Sequence, residues 1–316
     1  MEAIKFGAND VLIDTAKVTA GFWSGGLGTI AAKNESTFIT SSLSTTQKDY
    51  YLNIQYNSVD HLSAMYGHVG GSGSTTGAIN AGVGETQAIY NSLASYFLPP
   101  NEIEDGFKIQ STASMDKDIY VLVAERARMK DAMDTGNWTL AFSGSFIPAS
   151  GGGIATGSTL FLTDDSKVTT PQISPAGPRH LIRSGSKGTL NAATTRYGFY
   201  YPDAGTFIFS AQAMSASLQG IDERSGSING ASGKATNGFA PDLTNDGTAN
   251  NANKLFVAMK HCTSNQVLRN SEEQTDVTYF CRSLAPQHNF SSNNTFISGS
   301  RGEYRHSDME GNPQTF

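Results

Sequence analysis

A chain of 316 residues with only 16% charged side chains, against ~25% in an average globular protein, has room for one large β-rich domain or two modest ones. Its 38% of hydrophobic residues and 33 glycines exclude a chain that is disordered throughout. A net charge of −6 leaves no basic stripe for phosphates, and no apolar window approaches the ~18 residues of a membrane helix, so neither a nucleic-acid partner nor a membrane span is expected.

Residues 1–48 carry SGGLG (24–28) and a Ser/Thr-rich run (40–47), and read as an N-terminal arm or extended segment with no secretory signal. The main β-rich domain is expected over 49–221. It opens with a strand over 49–56, where Tyr50, Leu52, Ile54 and Tyr56 recur with a period of two. Residues 70–84 (GGSGSTTGAINAGVG) read as a flexible loop. Ile89, Leu93, Tyr96 and Phe97 then stand at helical spacing until Pro99-Pro100 halts them, which predicts a helix with those four on its buried face.

Strands follow over the continuous apolar run 119–124, over the alternating Trp138, Leu140 and Phe142, and over 160–162, which leads to a turn at Asp164-Asp165. A second Gly/Ser loop covers 150–158. Residues 196–201 and 206–210 flank the turn Pro202-Asp203-Ala204-Gly205 and predict a hairpin, with a short helix after it over 211–218. Residues 222–254 read as a polar insertion loop, and 255–316 as C-terminal strands and tail, with strands at 255–259 and 277–281. The last residues, Gln314-Thr315-Phe316, resemble the opening of another strand, so truncation or processing there is expected. No period of 20–50 residues recurs. The expected fold is mainly β, antiparallel and β-sandwich-like, with one or two short helices and long irregular loops or arms.

Catalytic patterns fail on their chemistry. The nearest phosphate loop, residues 226–235, has Ile228 where a glycine is needed and Ala235 in place of the magnesium-binding hydroxyl. Neither Gly/Ser run forms a nucleophile elbow. No histidine pair has zinc-protease spacing, and structural roles are expected for His61 and His68. His261 beside Cys262 is a weak metal signature, because a second sulfur would have to come from Cys281; the two cysteines allow one bridge at most. Residues 242–247 (DLTNDG) imitate half a calcium loop but find Asn253 at the twelfth position, so an Asx turn is expected. Asp164-Asp165 and Glu272-Glu273 read as hairpin tips or solvated surface. No catalytic residue, metal ligand or cofactor site is therefore assigned, and the chain is not expected to be an enzyme. The basic residues Arg126, Arg128 and Lys130 would share one face of an extended segment, either for an acidic partner or paired with Glu125 and Asp131.

Four blocks stand out together: IYVLVAERARMKDAMDTGNWTLAF (119–142), LTDD (162–165), RYGFYYPDAGTFIFSAQAM (196–214) and SGSRGEYRHSDMEGNPQTF (298–316). They resemble virion structural proteins of contractile-tailed bacteriophages, especially the myoviruses of marine cyanobacteria. The resemblance implies a non-enzymatic tail or baseplate component, made in the host cytoplasm and located in the virion. Its partners would be further copies of itself and other phage structural proteins. A capsid or neck protein is the alternative, and a glycan-binding or glycan-degrading module built on Trp23 and Trp138 the more distant one. The expected partner contacts are Arg126, Arg128, Lys130, Trp138, Tyr197, Phe199 and Tyr201.

Overall fold

The structure is a computed structural model, and it describes residues 11–34, 36–41, 47–74, 84–110, 113–143, 159–218, 239–245 and 249–280. The chain forms two compact units. One is Lys17–Glu273, and the other is Met1–Ala16 with Gln274–Phe316, of which 11–16 and 274–280 are described.

Sixteen strands and three helices follow in order among the described residues. β1 (Val11–Gly21), β2 (Thr29–Ile30) and β3 (Phe38–Thr40) precede the hairpin of β4 (Tyr51–Tyr56) and β5 (Val59–His68). Next come α1 (Glu85–Phe97), β6 (Asp118–Ala124), a 3-10 turn at Arg126–Arg128, and β7 (Ala132–Met133). β8 (Leu140–Ser143), β9 (Thr159–Asp164), β10 (Gln172–Ser174), β11 (Gly177–Ser186) and β12 (Thr189–Leu190) lead to the hairpin of β13 (Arg196–Tyr201) and β14 (Thr206–Ser210). The series closes with α2 (Ala211–Ser217), α3 (Asn251–Lys260), β15 (Gln266–Val267) and β16 (Arg269–Tyr279). This is the mainly β, antiparallel class that the strand pattern predicts. None of the helices among the described residues is long and apolar enough to cross a membrane.

Eleven strands make one sheet that curls into a half-barrel, in the order β3-β4-β5-β6-β14-β13-β11-β9-β8, with β10 and β12 paired to β11. The chain lays down β3 to β6, restarts at the opposite edge with β8, and works back to β14. The halves join where β6 pairs antiparallel with β14, from Ile119 opposite Ser210 to Val123 opposite Thr206. Both faces of this seam are covered, which explains why β6 is apolar without alternation. Ile119, Val121, Phe199, Tyr201 and Ile208 pack with Tyr90, Ala94 and Phe97 of α1. Tyr120, Leu122, Phe207 and Phe209 share the opposite cluster with Met214 of α2 and Leu255 of α3. The hairpin turn needs its glycine: Gly205 has φ of +59°, and an added Cβ would lie 2.3 Å from the Met129 sulfur.

Three expectations are corrected. The strand expected at 255–259 is part of the helix α3. All residues from Asn251 to Met259 are buried, so the one-sided stripe that marks a helix is absent and the short apolar run resembles a core strand. This helix also takes the last residues of the expected 222–254 loop, most of which lies outside the described residues. On α1 the buried positions are Thr86, Tyr90, Ala94 and Phe97, while Tyr96 is exposed. The Tyr90 hydroxyl fixes that rotation by donating to the Asp116 carbonyl at 2.9 Å and accepting the Phe107 N–H at 3.1 Å. Finally, Asp164 and Asp165 are buried rather than solvated. Asp164 accepts the Gly136 N–H at 2.9 Å, and Asp165 accepts the Leu181 N–H at 3.0 Å, so each carboxylate satisfies backbone that would otherwise be left without a partner.

Candidate assembly surface

The sequence places three basic residues on one extended face, but the strand stops at Ala124 and the chain turns through Arg126–Arg128. The three side chains consequently have separate surroundings. Arg126 is exposed and donates to the Asp131 carbonyl at 3.3 Å, and Lys130 pairs with Glu272 at 2.6 Å. Arg128 is half-buried, and its carbonyl accepts from Asn270. The aromatic candidates are buried within the fold. Trp138 is fully buried, with its ring 5.2 Å from that of Tyr200 and 4.9 Å from that of Phe207. Tyr197, Phe199 and Tyr201 are also buried. Burial pushes the Tyr201 hydroxyl up to about 12, although the nearby Arg179 charge pulls the other way.

The histidines on β5 act as backbone locks. The buried His61 Nε2 accepts the Ser24 N–H at 2.9 Å, which requires its Nδ1, 2.7 Å from the Val59 carbonyl, to carry the proton. His68 Nδ1 accepts the N–H groups of Gly70 and Ser72 at 2.9 and 3.1 Å, leaving Nε2 to face Asp118 at 3.8 Å. Both rings are held as neutral bases. Burial lowers the pKa of each, opposed at His61 by the Val59 carbonyl and at His68 by Asp118.

The short serine–carboxylate pair of Ser210 and Asp116 is also structural. Ser210 donates to Asp116 at 2.5 Å and accepts from Gln110 at 2.7 Å, and its Oγ accepts the Ala213 N–H at 3.3 Å as the N-cap of α2. Asp242 accepts both the N–H and the hydroxyl of Thr244, the Asx turn that its sequence predicts. Cys262 is a free, buried thiol, and burial raises its pKa. Among the described residues no group of three or more His, Cys, Asp or Glu side chains is placed to hold a metal ion. The phosphate-loop candidate at 226–235 and Cys281 lie outside the described residues.

A different surface has no such internal account. β1 is the edge strand of the order β1-β16-β7, eleven residues long, with no strand on its outer side among the described residues. Residues 12–19 are exposed on both faces of the strand, including Leu12 at 55% and Ile13 at 64%. The last seven residues of β16 are likewise exposed, with Tyr279 at 59% and Phe280 following it at 54%. Lys17 is tied to Asp134 at 2.7 Å, so one of the two charges on β1 is answered. A long apolar edge carries a row of unpaired N–H and C=O groups, which is a template for another strand. The sequence signal was available in VLIDTAKVTAG, where Val11, Leu12 and Ile13 are consecutive and a single buried face would require alternation.

No protein-family model, no curated protein and no solved structure matches this chain.

Proposed function

We propose that this chain is a non-enzymatic structural subunit of a contractile phage tail or baseplate, assembling with copies of itself and with other tail proteins. The observation that carries the reading is β1, an exposed eleven-residue edge strand with Leu12 and Ile13 uncovered. Monomeric proteins blunt such edges with charges, prolines or a covering element, whereas an assembly subunit can complete the edge with a neighbour's strand. The low charge of the whole sequence supports the same reading, as do the tail-protein resemblances at 119–142, 162–165, 196–214 and 298–316.

The test is a side-chain-resolution reconstruction of purified particles, with this chain fitted into the density. The expected result is density in the tail or baseplate, with β1 paired to a strand of another subunit. Density on the head alone would move the chain to the capsid or neck class. Absence from the particle would overturn the structural reading.

A further inference from the structure

Within Lys17–Glu273, away from β1, two arginines retain hydrogen-bond donors that no described residue answers. They line a pocket of about 420 Å³ to which the loop after α1 contributes Leu98, Glu102 and Lys108, β11 contributes Arg179 and Leu181, and β13 contributes Arg196 and Phe199. Leu181 pairs directly across the ladder with Phe199, so the two strands bring their pocket residues into one register. The Arg179 guanidinium carbon lies 4.5 Å from the centre of the Phe199 ring. Its Nη2 donates to Gln172 at 2.5 Å and its Nη1 stands 4.0 Å from Glu102, but its buried Nε has no acceptor. Among the described residues, the Arg196 side chain has neither a hydrogen bond nor an ion pair.

The charges narrow the ligand class. Lys108 is held by Asp105 at 2.7 Å, and Glu102 stands against Arg179, which leaves Arg196 as the uncompensated cation. A monoanion balances that single charge, whereas a dianion would also meet the two carboxylates of Glu102 and Asp105. A planar carboxylate matches the fork of a guanidinium with two parallel N–H···O bonds. Leu98, Leu181 and Phe199 give the rest of the wall an apolar part beside the polar Asn101 and Gln172, and the volume suits a small molecule.

We propose that this pocket binds a small organic carboxylate, with the acid held by Arg179 and Arg196 and its apolar body set against Leu98, Leu181 and Phe199. The carboxylate has two sources, a free small acid or a glutamate or aspartate side chain of another chain. This inference does not depend on where the chain resides in a particle.

The experiment titrates the full chain, followed by calorimetry and amide NMR shifts, with three probes: benzoate, an acetylated and amidated Gly-Gly-Glu-Gly-Gly peptide, and inorganic sulfate. Saturable binding of benzoate or the peptide is expected, with a dissociation constant of about 1 mM or tighter. Arg196→Gln should weaken it about tenfold or more, the loss of a charge-assisted bidentate contact. Because the Arg196 side chain has no partner among the described residues, the variant's melting temperature should stay that of the parent chain. Tighter binding of benzoate identifies a free acid as the source, and tighter binding of the peptide identifies a neighbouring chain. Saturation by neither carboxylate, tighter binding of sulfate than of both, or an unchanged affinity in Arg196→Gln would overturn the proposal.

Discussion

β6 and β16 are both long strands, yet their surroundings are opposite. Five of the seven residues of β6 are buried, because α1 covers one face of the seam and α2 and α3 cover the other. Of the eleven residues of β16 only Asn270 and Ser271 are buried, and the last seven are exposed together with most of β1. The difference separates two tasks: the central sheet gains its stability from its own chain, whereas β1 offers a backbone edge, and β1 and the end of β16 expose apolar side chains such as Leu12, Ile13 and Tyr279.

That contrast is breakable by substitution. In the central sheet, Phe207→Ala removes a buried ring that lies 4.9 Å from Trp138 and 4.8 Å from Tyr200, and should cost about 3–5 kcal/mol in urea denaturation. A loss below ~1 kcal/mol would mean that the seam is not the stability centre. Next in size is Gly205→Ala, where the positive φ and the Met129 sulfur predict a loss of about 1–3 kcal/mol. Acid should weaken the same region through His61 and His68. Their pKa values are lowered in the fold below the 6.5 of a free histidine, so the folded state binds fewer protons than the unfolded state. Their contribution is intact above pH 6.5 and is lost as pH falls from 6.5 through the lowered folded values. The urea midpoint should drop across that window, and replacing both histidines should flatten the drop. The smallest effect on stability belongs to Ile13→Lys: as an exposed site it should shift unfolding by no more than about 0.5 kcal/mol. It should nevertheless abolish incorporation into particles, measured by quantifying the variant in purified assemblies.

The period-two and turn signals made much of the fold legible. Leu52, Ile54 and Tyr56 alternate inward on β4, the apolar run at 119–124 is β6, and the residues around Pro202 and Gly205 form the hairpin as spaced. Where burial is complete the pattern loses its phase, which is why α3 resembles a strand and why the rotation of α1 depends on the hydroxyl bonds of Tyr90. The candidate surfaces were less legible for a related reason. Aromatic residues such as Trp138 and Tyr201 have the same composition in a core as in an interface, and only packing distinguishes them. The pocket at Arg179 and Arg196 joins residues from β11, β13 and the loop after α1, and no local spacing announces it.

The most direct measurement is amide hydrogen exchange along β1, comparing the free chain with the chain in purified particles. Fast exchange of the outward-facing amides of residues 12–19 is expected in the free chain, with strong protection of the same amides in the particle. Equal exchange in the two states would contradict the claim that a neighbouring strand completes this edge.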